Sequence, residues 1–276
     1  METAPQTWHY GLVARWWAEF NLEGPEIPYF RRFVEEDGEP ALDVACGAGR
    51  LLIPYLRAGL DVDGCDISAD MVGLCRERAE AEGLEPNLYV QPMHELSLPR
   101  RYKTIVVCGG FGIAGTRAQD MQALERFHDH LEPGGRLILD KETPYADRTR
   151  WRYWLREEHA SLPEPWPPDG NRRRTADGAE LELRVRLATL DPLDQRLTYE
   201  LRASMWRDGT LVAEEEHSLT ERMYFRDELV ALLENAGFGE VRVFGGYSDR
   251  AARADDDVLV FSARKGTGGP STGPDP

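Results

Sequence analysis

The stretch Leu42-Asp43-Val44-Ala45-Cys46-Gly47-Ala48-Gly49 narrows the fold more than any other part of the chain. Ala41 to Ala45 reads as a buried strand, Gly47-Ala48-Gly49 as a turn, and Arg50 to Arg57 as a helix. A strand that enters a glycine turn and leaves in a helix brings backbone close to a ligand at the strand's carboxyl end. Asp66 closes the next strand-like run, Val62 to Ile67, where a carboxylate can accept hydrogen bonds from both hydroxyls of a ribose. A tight turn plus a helix-capping carboxylate is the plainer alternative, but the two features fall in consecutive strands of one parallel unit. Ser68 can cap a helix that runs towards Glu82 and stops at Gly83. Leu88 to Val90 and Thr104 to Cys108 read as the third and fourth strands. Met121, Leu124, Phe127 and Leu131 mark one face of a helix ended by Pro133-Gly134-Gly135, and Arg136 to Asp140 is the fifth strand. This alternation predicts a parallel sheet covered on both faces.

After residue 142 the pattern changes. Residues 143–178 carry Trp151, Trp154 and Trp166, four prolines at 163, 165, 167 and 168, and Arg172-Arg173-Arg174, which suits a lid or an irregular excursion. Leu181 to Leu190, Gln195 to Trp206 and Thr210 to Thr220 alternate apolar and charged residues, with Asp191-Pro192 and Asp208-Gly209 as turns between them. That predicts an antiparallel meander with one solvated face. Arg226 to Asn235 returns to a helix stopped by Gly237, and Val241 to Phe244 and Val258 to Ala263 are strands. The expected organisation is a helical cap over 1–40, a core over 41–142, an antiparallel lid over 143–222, the rest of the core over 223–265, and a disordered tail over 266–276.

Charge limits the partners. The net charge is −16, from 49 acidic and 33 basic residues, a field that repels phosphate backbones and anionic lipid. No run approaches the ~18–20 apolar residues of a membrane span. The opening METAPQTWHY lacks the basic start and apolar run of a secretion signal, so a cytoplasmic location is expected. Neither nucleic acid nor membrane is expected as a partner. Cys46, Cys65, Cys75 and Cys108 form no CxxC pair and read as buried thiols. His128 and His130 lie two apart on a helix and point apart, so no metal site is expected.

A dinucleotide fingerprint requires a third glycine where this chain has Leu52, and no Gly-Lys-Ser/Thr follows for a phosphate loop. The turn therefore suits a nucleoside without a pyrophosphate. At this point LDVACGAGRLL, VDGCDISADM, LYVQPMHEL, YKTIVVCGGFG and LERFHDHLEPGGRLIL, in that order over about residues 41–140, resemble the class I S-adenosylmethionine-dependent methyltransferases, in particular the small-molecule branch. AGFGEVRVF and VLVFSAR match that family's closing helix and strand pair more loosely. The resemblance implies an α/β fold: a Rossmann-like seven-stranded sheet with an antiparallel β insertion forming a lid. It also implies S-adenosyl-L-methionine as cofactor and S-adenosyl-L-homocysteine as product. Carried over by position, it sets Ala45, Cys46 and Gly47 against the methionine end, Asp66 on the ribose and Ile67 on the adenine. Met93 and His94 flank the adenine, Cys108 and Gly109 present backbone to the amino acid moiety, and Met71 and Trp17 complete the cofactor set. Pro92 stands where many relatives carry an aspartate, which removes a carboxylate and a backbone donor; Gln91 could substitute.

Methyl transfer from a sulfonium needs no protonated leaving group, so alignment and exclusion of water are the main tasks. A general base helps a hydroxyl acceptor and is dispensable for a neutral amine. Glu142, just past the fifth strand, and His217, on the third meander strand, are the candidate bases. His217 is otherwise a solvated strand residue. Tyr10 and Trp17, in an aromatic helix with Trp16 and Phe20, can place rings over the sulfonium, the alternative being simple packing. Arg172-Arg173-Arg174 reads most simply as a solvated turn, or else as a fork for an anionic acceptor. The expected function is methyl transfer to nitrogen or oxygen of a small molecule. The alternatives are a lyase, a cyclase or a regulatory binder of the same cofactor, and a nicotinamide-dependent oxidoreductase, disfavoured by Leu52. The acceptor, its reacting atom and the oligomeric state are left open, a homodimer among the options.

Overall fold

The computed structural model describes residues 9–267. The first eight residues of the expected cap and residues 268–276 of the expected tail lie outside them. Two helices open the described chain, α1 (Gly11–Phe20) and α2 (Glu26–Asp37). There follow β1 (Ala41–Val44), α3 (Leu52–Arg57), β2 (Val62–Asp66), α4 (Ala69–Ala81), β3 (Leu88–Val90), β4 (Tyr102–Val107), α5 (Arg117–His130) and β5 (Leu131–Glu142). Short helices α6 (Arg148–Trp151) and α7 (Arg156–His159) lead to β6 (Asn171–Arg174), β7 (Glu180–Asp191), β8 (Arg196–Arg207) and β9 (Thr210–Arg222). The chain closes with α8 (Arg226–Asn235), β10 (Phe238–Gly245) and β11 (Val258–Lys265).

Seven strands form one sheet in the order β10-β11-β5-β4-β1-β2-β3, with β11 antiparallel to both neighbours and the others parallel. The period of two along each strand divides the core in two. Leu42, Val44, Ile105, Val107, Leu137 and Leu139 pack under α5 and α8, through Leu124, Phe127, Leu229 and Leu233. Ala41, Val62, Val106, Ile138 and Val260 face the other way, onto Phe30, Phe33, Val34, Leu52 and Tyr55 of α2 and α3. Strands buried on both faces in this way are what the unbroken apolar runs require.

The second sheet, β6-β7-β8-β9, is antiparallel throughout. Asp208 and Gly209 both take positive φ (48° and 75°), as the tight turn between β8 and β9 demands. Leu181, Leu183, Leu187, Leu197, Leu201 and Ala203 pack against Leu12, Val13 and Trp16 of α1, so the amino-terminal helix lies against the insertion. It also reaches the core. The Gly11 N–H donates to Asp70 (2.7 Å) at the start of α4, and the Leu12 N–H donates to Glu215 (2.9 Å) of β9.

Several local expectations need correction. Arg172-Arg173-Arg174 is not a turn but most of β6, an exposed edge strand paired with β7. An all-charged edge strand has no apolar alternation to reveal it, and such charge protects an open edge. Met121 is 39% exposed; Ala123 and Asp120 take the buried positions beside Leu124 and Phe127. Pro133-Gly134-Gly135 does not precede β5 but lies within it, at a register shift against β4.

Candidate active site

A cavity of about 270 Å³ opens at the carboxyl ends of β1, β2 and β4. All eleven residues assigned to the cofactor line it: Ala45, Cys46, Gly47, Asp66, Ile67 and Met71 on one wall, Met93, His94, Cys108 and Gly109 on another, with Trp17 closing over them. Sequence reasoning missed Asn21, Arg50, Arg78, Gln119 and Asp120, which also line it. The glycine-rich run Cys108 to Gly115 was the available signal for the backbone wall. Thr116-x-x-Gln119, a capping box that fixes the start of α5, was the signal for Gln119 and Asp120.

The turn is built for close approach. Ala45 (φ 58°), Gly47 (φ 54°) and Gly49 (φ 82°) all adopt the left-handed region, which is costly for the alanine. At Gly49 a Cβ would also come within 2.7 Å of the Cys75 Sγ, so no larger residue fits. Asp66 fastens this turn to the end of β2. Its Oδ2 accepts from the Gly47 N–H at 2.9 Å and its Oδ1 from the Ser68 N–H at 2.8 Å. An ionised carboxylate has about four acceptor sites, so capacity beyond the Gly47, Ser68 and Ile67 N–H groups is left for a ribose hydroxyl. Burial raises the Asp66 pKa, against the pull of the same backbone donors. Ser68 in turn caps α4, accepting from the Met71 N–H at 3.2 Å, and donates to the His9 carbonyl.

Asp140 performs the matching task at β4. It accepts from the Gly109 N–H (2.5 Å) and from the Tyr247 hydroxyl (2.5 Å), fixing the backbone that follows the strand. Arg50 extends to the Cys108 Sγ at 3.4 Å and pairs with Glu26 at the start of α2. Trp17 offers a buried Nε1–H without a hydrogen-bond partner among the described residues, and His9 packs edge-on to its ring at 5.8 Å. A cradle of glycines, a carboxylate with acceptor capacity and an unpaired indole donor fit a nucleoside bearing an amino acid arm. No group of three His, Cys, Asp or Glu side chains among the described residues is arranged to hold a metal ion.

The candidate bases do not join this set. Glu142 is held by Arg150 at 2.5 Å, and the same guanidinium bonds Asp147 and the Tyr199 hydroxyl. His217 meets Glu215 at 3.1 Å, the carboxylate that also caps α1. Tyr10 precedes α1 as its cap residue. None of the three lines the cavity. Nor does the arginine triplet: Arg172 pairs with Glu180 and lies 4.4 Å over the Trp206 ring, and Arg173 lies 4.3 Å over Phe20. Gln91 bonds back to Ser97 and does not reach the cavity that Pro92 lines.

Residues 41–135 match a family model described as a methyltransferase domain. Among curated relatives, a dTDP-3-amino-3,6-dideoxy-alpha-D-glucopyranose N,N-dimethyltransferase of Streptomyces fradiae is 32% identical over 123 residues, covering 44% of this chain and 47% of that one. The dTDP-3-amino-3,4,6-trideoxy-alpha-D-glucopyranose N,N-dimethyltransferase of Streptomyces venezuelae is 27% identical, over 44% of this chain and 50% of its own. The chain thus spans about half the length of these relatives. A crystal structure of a sugar N-methyltransferase from Streptoalloteichus sp ATCC 53650 superposes with a TM-score of 0.67 at 17% identity, covering 96% of this chain and 99% of that one. The fold is shared over nearly the whole chain, and the family match over residues 41–135 falls in the segment that builds most of the cavity.

Proposed function

We propose that this chain is an S-adenosylmethionine-dependent methyltransferase that acts on nitrogen or oxygen of a small molecule by direct displacement. The observation that carries the proposal is the cavity itself: Asp66, the glycine turn and the post-β4 backbone meet at one sheet end, within the segment that matches a methyltransferase domain. S-adenosylmethionine, when bound, supplies a methyl group on a sulfonium that departs as a neutral thioether. The residues of the chain then have three tasks. Asp66 holds the ribose, Arg50 and the backbone around Cys108 and Gly109 face the amino acid arm, and Trp17 shields the reacting centre from water. Neither of the candidate bases, Glu142 and His217, lines the cavity, which favours an acceptor that arrives as a neutral amine. In this reading residues 41–142 and 223–265 hold the cofactor, and the cap over 1–40 with the 143–222 insertion encloses the acceptor. The amino-sugar enzymes among the relatives make small amines the first acceptors to try. No helix among the described residues is long and apolar enough to cross a membrane.

The test is a calorimetric titration with S-adenosylhomocysteine and, separately, NADH, followed by a screen of amino sugars and phenols. Binding of the homocysteine nucleoside alone, with a methylated amine formed, is the expected result. Binding of NADH in preference, or nucleoside binding with no methylated product from any acceptor class, would overturn the proposal.

A further inference from the structure

We propose that Asp120 reads the amino group of the cofactor's adenine and thereby selects adenine over a 6-oxopurine. The assignment rests on the function proposed above. Pro92, Met93, His94, Gly115, Gln119 and Asp120 line the same cavity as Asp66 and Ile67, and with ribose at Asp66 and adenine against Ile67 and Met93 these are the groups the assignment sets around the base. Strand β3 contributes no polar reader there. Pro92 has no N–H, and Gln91 is turned away, its Oε1 accepting from the Ser97 N–H at 2.9 Å. Gln119 and His94 are committed to each other. The Gln119 Oε1 accepts from the Thr116 N–H (2.8 Å), which orients the amide so that its Nε2 donates to the His94 Nε2 at 3.1 Å. A neutral His94 then carries its proton on Nδ1 and presents a donor, not an acceptor, to any base.

Asp120 differs from both. It is 3% exposed and yet lines the cavity. Its Oδ2 accepts from the Tyr224 hydroxyl at 2.6 Å, with the Arg222 Nε 3.8 Å away, and these hold the carboxylate in one orientation. Its Oδ1 accepts no hydrogen bond among the described residues and sits over Gly115, where a Cβ would lie 2.9 Å from it. The glycine therefore leaves that oxygen uncovered. An ionised carboxylate can only accept, so it welcomes a purine amino group and repels a purine carbonyl at the same position. A site built around a buried polar group rejects the analogue that cannot satisfy it more strongly than an apolar site could.

The experiment is calorimetry on the full chain with S-adenosylhomocysteine and S-inosylhomocysteine, in the parent and in Asp120→Asn. The parent is expected to prefer the adenine form by at least about tenfold, and Asp120→Asn, whose amide can donate to a carbonyl, to bring the two within about threefold. A merely structural role would weaken both ligands alike and leave their ratio unchanged. An Asp120→Asn protein that keeps the parent's ratio overturns the assignment, as does a parent that binds S-adenosylhomocysteine without preference. A parent that binds neither ligand overturns the proposed function and this assignment with it. Should Asp120→Asn fail to fold, a crystal structure of the parent with S-adenosylhomocysteine decides. The amino nitrogen within about 3.2 Å of Oδ1 is expected, and its placement against any other group refutes the proposal.

Discussion

Asp66 holds the glycine turn and faces the cavity at once, so its removal should be felt twice. In Asp66→Ala, loss of a charge-assisted hydrogen bond of ~1.5–3 kcal/mol should weaken S-adenosylhomocysteine at least about tenfold, and the freed Gly47 and Ser68 N–H groups should lower stability by ~1–3 kcal/mol. Ser68→Ala separates the effects. It removes the cap on α4, costing ~1 kcal/mol, and should change affinity by less than about threefold. Unchanged affinity in a folded Asp66→Ala protein, by calorimetry, would refute the ribose assignment. Asp43, in the neighbouring strand β1, is buried with neither oxygen hydrogen-bonded among the described residues, and burial together with the charge of Asp66 pushes its carboxyl up to about 8. An acid raised in the folded state stabilises fully below its unfolded pKa of 3.8, and that contribution is lost as pH rises through about 8. His9 runs the other way. Burial pushes it down from 6.5 to about 4, so its contribution is complete above 6.5 and lost as pH falls through about 4. Between pH 6.5 and 8 only Asp43 of the pair acts, and stability should fall by up to ~1.4 kcal/mol per pH unit. Denaturant unfolding across that window should show the fall in the parent and a flatter profile in Asp43→Asn; equal slopes would contradict the account.

At the scale of elements, legibility followed locality. β1, the glycine turn, β2 and the Ser68 cap were readable because each is a short pattern that its own residues determine: an apolar run, a turn residue, a hydroxyl before a helix. The methyltransferase resemblance over 41–140 is borne out by the family match and by the seven-stranded order. β6 was unreadable, because Asn171-Arg172-Arg173-Arg174 has no buried face and exists only through pairing with β7. Arg50 and Asp120 were missed for a related reason. Their chemistry is common on any helix, and only the convergence of distant elements puts them at one cavity. Helix α1 shows the same dependence: carboxylates from two different sheets' neighbourhoods, Asp70 and Glu215, take its first free N–H groups. Trp17 faces the cavity and Tyr10 does not. Trp17→Ala should therefore weaken S-adenosylhomocysteine by roughly tenfold, and Tyr10→Ala by much less, each with a modest loss of stability. The cofactor should also slow proteolysis within α1. Equal effects of the two substitutions, or digestion unaffected by ligand, would show that α1 is packing alone.

Across the whole molecule, the two sheets are joined at the site. The Ala114 N–H donates to the Thr220 carbonyl (2.7 Å) and the Arg222 N–H to the Gly112 carbonyl (2.8 Å), so the loop that walls the cavity is also hydrogen-bonded to β9, the last strand of the second sheet. Buried Lys141 strengthens the junction, donating to the Phe111 carbonyl (3.1 Å) and to Glu221 (2.8 Å). Ligand that orders residues 110–115 should order the end of β9 with them. Deuterium exchange should slow at both segments on adding S-adenosylhomocysteine, and protection confined to the loop would contradict the coupling. The most direct measurement is a single turnover with S-adenosylmethionine carrying a labelled methyl group and an amino-sugar acceptor. The account predicts label on the acceptor, with S-adenosylhomocysteine formed in equal amount. Cofactor that is bound and recovered intact across the acceptor panel, or that is cleaved with the label left off every acceptor, would contradict it.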